Sequence, residues 1–147
     1  MHERFMHEAV TEAAQAAERG EVPIGAIVVV EGEIVGRGHN QPIQAHDATA
    51  HAEIVAMRAA GRHLGNYRLS GATLYVTVEP CLMCVGAMVH ARIATLVFGT
   101  PEPKAGAIES TQQAHEHPAL NHRLTIVSGV LAGECAELMR RFFQERR

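Results

Sequence analysis

The sequence predicts a single α/β domain in which a central mixed β-sheet of about five strands is sandwiched by α-helices. Its 147 residues suit one domain, since domains usually contain roughly 100–200 residues. Hydrophobic residues make up 47% of the chain and charged residues 20%, which supplies a core and excludes a disordered or collagenous chain. Helical and strand-like segments alternate along residues 1–147 without an internal repeat or a linker, which favours the α/β class.

The N-terminal part of the chain predicts one helix followed by a hairpin. Apolar side chains recur at helical spacing over residues 4–19, and Gly20 follows as a stop signal. A β-branched run at 24–30 and a second segment at 33–38 are joined by a Glu-Gly turn signal, which predicts an antiparallel pair. A polar loop at 40–47 ends this part of the chain.

The rest of the chain alternates helices and strands. An alanine-rich segment at 50–60 predicts a second helix, whose start Asp47 or Thr49 can cap. The later elements are a strand at 73–78, a helix at 82–91, strands at 93–98 and 124–127, and a last helix from about residue 133. A loop rich in proline and glycine at 99–107 and a histidine-rich stretch at 115–122 lie between the last strands.

Charge is distributed unevenly along the chain. Residues 1–50 contain three arginines and eight acidic residues, a net charge of -5, so the remainder carries +2 of the overall -3. The second part is therefore the better candidate for binding an anion such as RNA, and four of its arginines lie near the C-terminus: Arg140, Arg141, Arg146 and Arg147. A solvated end of an amphipathic helix explains this cluster equally well, and an aromatic content of 4% offers few platforms for stacking bases.

Nothing in the sequence indicates a membrane or secretory segment. No apolar stretch approaches the ~18 residues of a membrane helix, and the N-terminus lacks the basic-then-apolar order of a signal peptide. We therefore expect a cytoplasmic protein with no membrane partner. In a reducing compartment, the close pair Cys81 and Cys84 is typical of metal binding or redox chemistry rather than of a disulfide framework.

Two short motifs carry the strongest chemical signal. His51 and Glu53 lie in the first motif, and Cys81 and Cys84 lie in the second. One histidine and two cysteines are nitrogen and sulfur ligands that zinc prefers. Two cysteines three residues apart at a helix start share one face, where the helix dipole and free N–H groups favour thiolates. The first motif also lies at a helix start, so we expect two helix N-termini to face one metal ion.

Three protein ligands predict a catalytic rather than a structural zinc. They leave a fourth position for water, whose pKa can fall to roughly 7 at zinc, and Glu53 can take the proton of that water. One alternative is a closed site with Cys135, His63 or His90 as fourth ligand, and another is a redox-active cysteine pair. Both leave Glu53 without a role, and Cys135 at an apolar position of the last helix is most simply a packing residue.

These motifs closely resemble those of the zinc-dependent base deaminases, which combine His-x-Glu with Pro-Cys-x-x-Cys. Within that superfamily, the chain from residue 21 to the final helix is similar to the bacterial tRNA-specific adenosine deaminases. The matching stretches are Glu21-Val22-Pro23-Ile24-Gly25-Ala26, Thr49-Ala50-His51-Ala52-Glu53-Ile54, Asn66-Tyr67-Arg68-Leu69, Leu74-Tyr75-Val76-Thr77, Glu79-Pro80-Cys81, Asn121-His122-Arg123 and Phe142-Phe143. The zinc motif is common to all base deaminases, whereas the stretches beginning at Asn66, Asn121 and Phe142 favour the tRNA branch.

The resemblance implies a cytidine deaminase-like fold, a homodimer and one Zn²⁺ per subunit. His51, Cys81 and Cys84 would bind the zinc, and Glu53 would shuttle protons. By the same analogy, the substrate is a tRNA anticodon loop, in which the wobble adenine is attacked at C6 and becomes inosine. Loop RNA suits such an enzyme because its bases are already unstacked and can enter a pocket.

The resemblance also implies a set of substrate contacts. Asn40, Val22 and Pro23 would line the base pocket. We expect further substrate contacts from residues elsewhere in the chain, namely Ala52, Glu102, Asn121, His122 and Phe143. The chain departs from the residues usual in the family at Gln41, Ala48 and Glu102, where arginine, proline and aspartate are common. None of these positions belongs to the zinc motif, so they bear on substrate affinity and range rather than on the reaction.

Two other functions remain open at the level of sequence. A deaminase of a free base or nucleoside such as guanine would use the same zinc and glutamate but need no basic rim. A zinc-stabilised RNA-binding module would need no catalytic glutamate.

Overall fold

The computed structural model describes residues 1–146, and Arg147 lies outside the described residues. Its elements in chain order are α1 (His2–Glu18), β1 (Gly25–Val30), β2 (Glu33–His39), α2 (Pro42–Ala45), α3 (Ala52–Leu64), β3 (Thr73–Val78), α4 (Leu82–His90), β4 (Thr95–Thr100), β5 (Thr125–Val127) and α5 (Ala132–Glu145). A 3-10 turn at Ala114–Glu116 precedes β5. Within residues 1–146, no helix combines the length and the apolar character needed to cross a membrane.

The five strands form one mixed sheet in the order β2-β1-β3-β4-β5. Strand β1 pairs antiparallel with β2 and with β3, whereas β3, β4 and β5 run parallel to one another. The chain therefore leaves β3 and β4 at the same edge of the sheet, where the N–H of Glu79 donates to the carbonyl of Thr100 at 2.9 Å. The loops that follow these two strands consequently lie side by side.

Helices cover both faces of the sheet, because side chains alternate along each strand. Leu74 and Val76 pack in one buried cluster with residues of α3 and α4. Tyr75 points to the other face and packs with Phe5 of α1 and Cys135 of α5. The predicted mixed sheet between helices is confirmed, as is the packing role of Cys135, which is buried.

The second predicted helix, α3, differs from its prediction at both ends. It runs from Ala52 to Leu64 rather than from residue 50 to residue 60, because the helix continues through Gly61 and ends at Gly65, which has a φ of 67°. The predicted cap is wrong. Asp47 accepts hydrogen bonds from the N–H and the hydroxyl of Thr49 and forms a local turn instead. The cap comes from Asn40, whose Oδ1 accepts the N–H of Ala52 at 2.9 Å.

Strand β4 begins two residues later than predicted. Arg92 has a φ of 64°, and the N–H of Ile93 donates to the carbonyl of Met88 at 3.1 Å. These contacts close the C-terminal end of α4, and Ile93 lies buried in the connection between α4 and β4.

Candidate active site

Two helix starts meet at the edge of the sheet where β3 ends. His51 is the N-cap of α3 and has an extended backbone, with φ -72° and ψ 153°. Cys81 is the N-cap of α4, and Cys84 lies in the first turn of the same helix. The His51 side chain makes no capping hydrogen bond to α3, and the Cys81 side chain faces Cys84 of its own helix. All three side chains are therefore free to converge on one point.

The three donor atoms lie at distances suited to a zinc ion. His51 Nδ1 is 3.6 Å from Cys81 Sγ and 3.6 Å from Cys84 Sγ, and all three atoms lie within 4.8 Å of one another. A tetrahedral zinc with ordinary bond lengths separates a nitrogen and a sulfur ligand by about 3.6 Å. The donor set and its spacing therefore fit zinc.

The two thiols compete for one negative charge. Hydrogen bonding with Cys84, together with that of His51, lowers the pKa of Cys81 to about 4. The same contact with Cys81 raises the pKa of Cys84, and hydrogen bonding with Cys81 raises the pKa of His51. A divalent cation removes this competition, because it stabilises both thiolates at once.

Glu53 lies in the first turn of α3 beside this cluster and is only 4% exposed. Burial, together with the nearby charge of Cys81, raises the pKa of Glu53 to about 7, against the lowering effect of hydrogen bonds and of His51. A carboxyl group with a pKa near neutrality can both accept and return a proton, as a general acid-base catalyst must.

The predicted fourth ligands lie elsewhere. Cys135 packs on the opposite face of the sheet, and His63 and His90 lie in the last turns of the two helices whose first turns hold the ligands. At 1.5 Å per residue, these helix ends are separated from the ligands on the same helices by about 9–18 Å. Among residues 1–146, the grouping of metal-binding side chains contains only His51, Cys81 and Cys84. The closed four-ligand alternative is therefore wrong.

The predicted base pocket residues border the metal cluster. The Asn40 bond to Ala52 places the Asn40 amide next to His51. Val22 and Pro23 lie in the loop before β1, and the N–H of Asn40 donates to the carbonyl of Ile24 at 3.0 Å. The two segments are thus held together beside the start of α3.

The other predicted substrate contacts have partners within the chain. Asn121 Oδ1 accepts a hydrogen bond from Arg92 at 2.8 Å, and His122 Nε2 donates to the carbonyl of Ile93 at 2.7 Å. Phe143 is 47% exposed on α5, with its ring 5.3 Å from Phe142 edge to face. These contacts attach the segment before β5 to the end of α4 and leave Phe143 facing solvent. Their contact with a substrate stays a prediction.

Glu102 also has partners within the chain. Its Oε2 accepts the N–H groups of Lys104 and Ala105 at 2.6 and 2.5 Å. The carboxylate therefore stabilises the turn after β4.

Sequence reasoning missed two buried carboxylates that hold loops at this edge. Glu21 accepts the N–H groups of Ile43 and Gln44 at 3.3 and 2.8 Å and fixes α2 next to the pocket. Glu79 accepts N–H groups from the loop after β4, and these bonds outweigh burial and lower its pKa to about 2. Their positions in the sequence could have drawn attention to them. Glu21 directly precedes Val22, a predicted pocket residue, and Glu79 lies two residues before Cys81, a predicted metal ligand.

The sequence around this site matches a known protein family. Residues 1–100 match the family described as the cytidine and deoxycytidylate deaminase zinc-binding region. The fold and the three-ligand zinc site define a zinc-dependent hydrolytic deaminase, which confirms the prediction of an enzyme over that of a non-catalytic RNA-binding module. The match also confirms zinc as the metal.

The relatives identify the family more closely. The tRNA-specific adenosine deaminase of Haemophilus influenzae is 47% identical over 146 residues, covering 99% of this chain and 84% of that protein. A solved structure described in terms of A-to-I editing by tRNA:A34 deaminases has a TM-score of 0.90 and 45% identity, covering 92% of this chain and 98% of its own. A guanine deaminase structure from Bacillus subtilis has a TM-score of 0.66 and 34% identity, covering 76% of this chain and 82% of that one. The chain belongs to the family of the tRNA-specific adenosine deaminases.

Proposed function

We propose that the protein converts adenosine at the wobble position of a tRNA anticodon to inosine, releasing ammonia. The observation that carries this proposal is the convergence of His51, Cys81 and Cys84 with the buried carboxyl group of Glu53 at two helix starts. The similarity to a structure described for tRNA:A34 editing, over 92% of this chain, selects the substrate class.

Bound zinc supplies Lewis acidity, which makes a water-derived nucleophile available at neutral pH. Glu53 accepts a proton from the attacking water and returns it to the adenine ring as the new C–O bond forms at C6. It then takes the proton of the new C6 hydroxyl group and delivers it to the amino group, which leaves as ammonia while the C6 carbonyl of inosine is established. The balance is one water consumed and one ammonia released, with Glu53 returned to its starting state.

The pocket residues hold the base during this sequence. We assign Asn40 the role of orienting the base by hydrogen bonding, because its side chain is buried and fixed to the N–H of Ala52. Val22 and Pro23 form an apolar wall on the adjacent segment. The loop RNA must present its base unstacked, which an anticodon loop does at low cost.

The contacts of the C-terminal arginines within the chain weaken the case that this cluster binds RNA. Arg140 donates two hydrogen bonds to Glu137, and Arg141 lies 3.5 Å from the same carboxylate. Arg146 packs over the ring of Phe142 at 3.6 Å. Arg147 lies outside the described residues. These contacts favour the interpretation of the cluster as a solvated helix end.

We propose a homodimer in which a second copy covers the groove between α3 and α4. This groove has a volume of about 610 Å³ and an apolar floor that includes Ile54, Met57 and Leu69. Tyr67 at its margin is 73% exposed. Exposed aromatic and aliphatic side chains around a concave surface are typical of a protein interface.

We retain two further predictions as part of this proposal. The protein acts in the cytoplasm, where its tRNA substrate is processed, and the deaminase domain spans residues 1–147.

Deamination of a free base such as guanine is the competing activity, and the 34% identity with a guanine deaminase structure favours it as the second candidate. Incubation of the protein with total tRNA, free adenosine and free guanine in separate reactions distinguishes the two. We expect inosine in the tRNA alone. Xanthine from guanine, without inosine in tRNA, would replace the proposed function with the competing one.

A further inference from the structure

The carboxylate of Glu79 is the centre of a hydrogen-bond cluster that the deamination chemistry does not use. Glu79 is the first residue after β3 and is 4% exposed. Its oxygens accept the backbone N–H groups of Glu102, Ile108, Glu109 and Ser110 at 3.0, 3.1, 2.8 and 2.9 Å, and also the hydroxyl of Ser110. The Glu79 side chain thus forms hydrogen bonds with both ends of the loop 102–110.

The loop is shaped around this carboxylate. A Cβ atom at Gly106 would lie 2.2 Å from Cδ of Glu79, so the loop approaches closely enough that only glycine fits there. No lysine, arginine or histidine among residues 1–146 lies within ion-pair distance of Glu79. Its charge is stabilised by N–H dipoles and one hydroxyl, as in an anion-binding nest.

The same loop borders the metal cluster. The N–H of Ala107 donates to the carbonyl of Pro80 at 2.9 Å, and Pro80 directly precedes the ligand Cys81. Ala107 and Ile108 are buried in the same core cluster as Cys84. In α/β sheets, ligands bind beyond the carboxyl ends of parallel strands, and this loop leaves the carboxyl end of β4.

We propose that Glu79 is a positioning residue, whose carboxylate holds the loop 102–110 as a preformed wall for the anticodon nucleotides that flank the target base. It acts on RNA binding through the loop, and Glu53 retains the proton transfers. A loop ordered in advance loses little conformational entropy when RNA binds, so its contacts contribute more fully to affinity. This inference rests on the proposed function.

The test compares Glu79→Gln with Glu33→Gln in the zinc-loaded protein. Glutamine at position 79 places an NH₂ group against N–H donors, whereas Glu33 has an exposed side chain at the start of β2, outside the loop and the site. The measurements are zinc per chain, amide hydrogen exchange at residues 108–110, and kcat and KM on an anticodon hairpin with adenosine at the wobble position.

We expect Glu79→Gln to retain zinc and to accelerate amide exchange at residues 108–110 by tenfold or more. Its KM for the hairpin should rise about tenfold while kcat changes by less than about threefold, because hydrogen bonds to a charged group are lost in the loop alone. Glu33→Gln should match the wild type in all four measurements. Unchanged exchange and KM in Glu79→Gln, or an equal change in Glu33→Gln, would overturn the proposal.

If Glu79→Gln does not fold, Ser110→Ala decides the question, because it removes the hydroxyl donor and leaves the carboxylate in place. Faster exchange at 108–110 with a raised KM would support the proposal, and wild-type values for both would refute it. If the wild-type protein does not deaminate the hairpin, the proposed function fails, and the exchange rates of the variants still show whether Glu79 orders the loop. A fall in kcat at unchanged KM would assign Glu79 to the chemistry instead.

Discussion

The side-chain oxygen of Asn40 lies 2.9 Å from the backbone nitrogen of Ala52 and caps the helix that begins at the metal ligand His51. Asn40, which is proposed to orient the base, is therefore also the residue that accepts a free backbone N–H at the start of the helix next to His51. Changes at Asn40 should affect the stability of the fold and the binding of substrate through different atoms of one side chain.

This dual role predicts different outcomes for two substitutions. Asn40→Asp keeps the oxygen that caps α3 and should leave the thermal unfolding midpoint close to that of the wild type, but should lose activity because the amide donor is gone. Asn40→Ala loses both functions and should also lower the free energy of unfolding by about 1 kcal/mol. Thermal unfolding and kcat/KM measure the two effects separately. Full activity in Asn40→Asp would show that the amide does not orient the base.

Glu53→Gln should keep the fold and one zinc per chain while lowering kcat by about 10²- to 10⁴-fold, the usual contribution of a general acid-base group. Glu12→Gln is the matched control, because Glu12 is also a buried carboxylate but lies on α1. Metal analysis and single-turnover rates on tRNA are the measurements. Turnover near the wild-type rate in Glu53→Gln would remove Glu53 from the mechanism.

Metal removal should change the reactivity of the cysteines selectively. With zinc bound we expect slow alkylation of all three thiols, whereas a chelator should expose Cys81 to iodoacetamide first, because the pKa of Cys81 is lowered to about 4 and its side chain is half-buried. Burial raises the pKa of Cys135 to about 12, so Cys135 should stay unmodified in the folded protein. Peptide mass spectrometry identifies the modified site. Equal alkylation of Cys81 with and without zinc would argue against its role as a ligand.

Glu79 should contribute to stability in a pH-dependent way. Its pKa is lowered from 4.5 to about 2 in the folded protein, so its contribution is present above pH 4.5 and is lost as the pH falls through 2. We expect the difference in unfolding free energy between wild type and Glu79→Gln to be largest near pH 6 and to shrink between pH 4.5 and 2. Denaturant unfolding across this range measures it. A difference that stays constant down to pH 2.5 would contradict the assignment.

Charge placed in the groove between α3 and α4 should dissociate the proposed dimer. Tyr67→Glu buries a carboxylate in the interface and should shift the protein from dimer to monomer in sedimentation velocity. Phe143→Glu is the control, since Phe143 is an exposed aromatic residue that lies on α5, outside the groove. Dimers of unchanged stability in Tyr67→Glu would place the interface elsewhere.

The metal ligands could be predicted because their signal is local. Histidine and cysteine at the starts of two helices can be recognised from short stretches of sequence, and the structure confirms that His51, Cys81 and Cys84 converge. The role of Glu79 could not be predicted in the same way. Its partners lie 23 to 31 residues further along the chain, and they are backbone N–H groups, which every residue except proline supplies. Such a contact leaves no pattern in the residue types.

The same reasoning explains the error at the start of the second helix. Asp47 and Thr49 have the composition of a cap and lie near the start of α3, but they bond to each other. Asn40 reaches the helix from 12 residues away because the hairpin ends beside it. Tertiary contact thus overrides local capping preference at this position.

The metal ligands all lie at the starts of helices that are anchored on the sheet, whereas the substrate is expected to meet loops. Gln41, Ala48 and Glu102, three positions outside the zinc motif where the sequence departs from the residues expected from the resemblance, all lie outside the strands and outside α3 and α4. The reaction and its specificity are therefore encoded in separable parts of the chain. Loops can diverge in sequence, and with them the nucleotide context that is accepted, while the hydrolytic step is inherited unchanged.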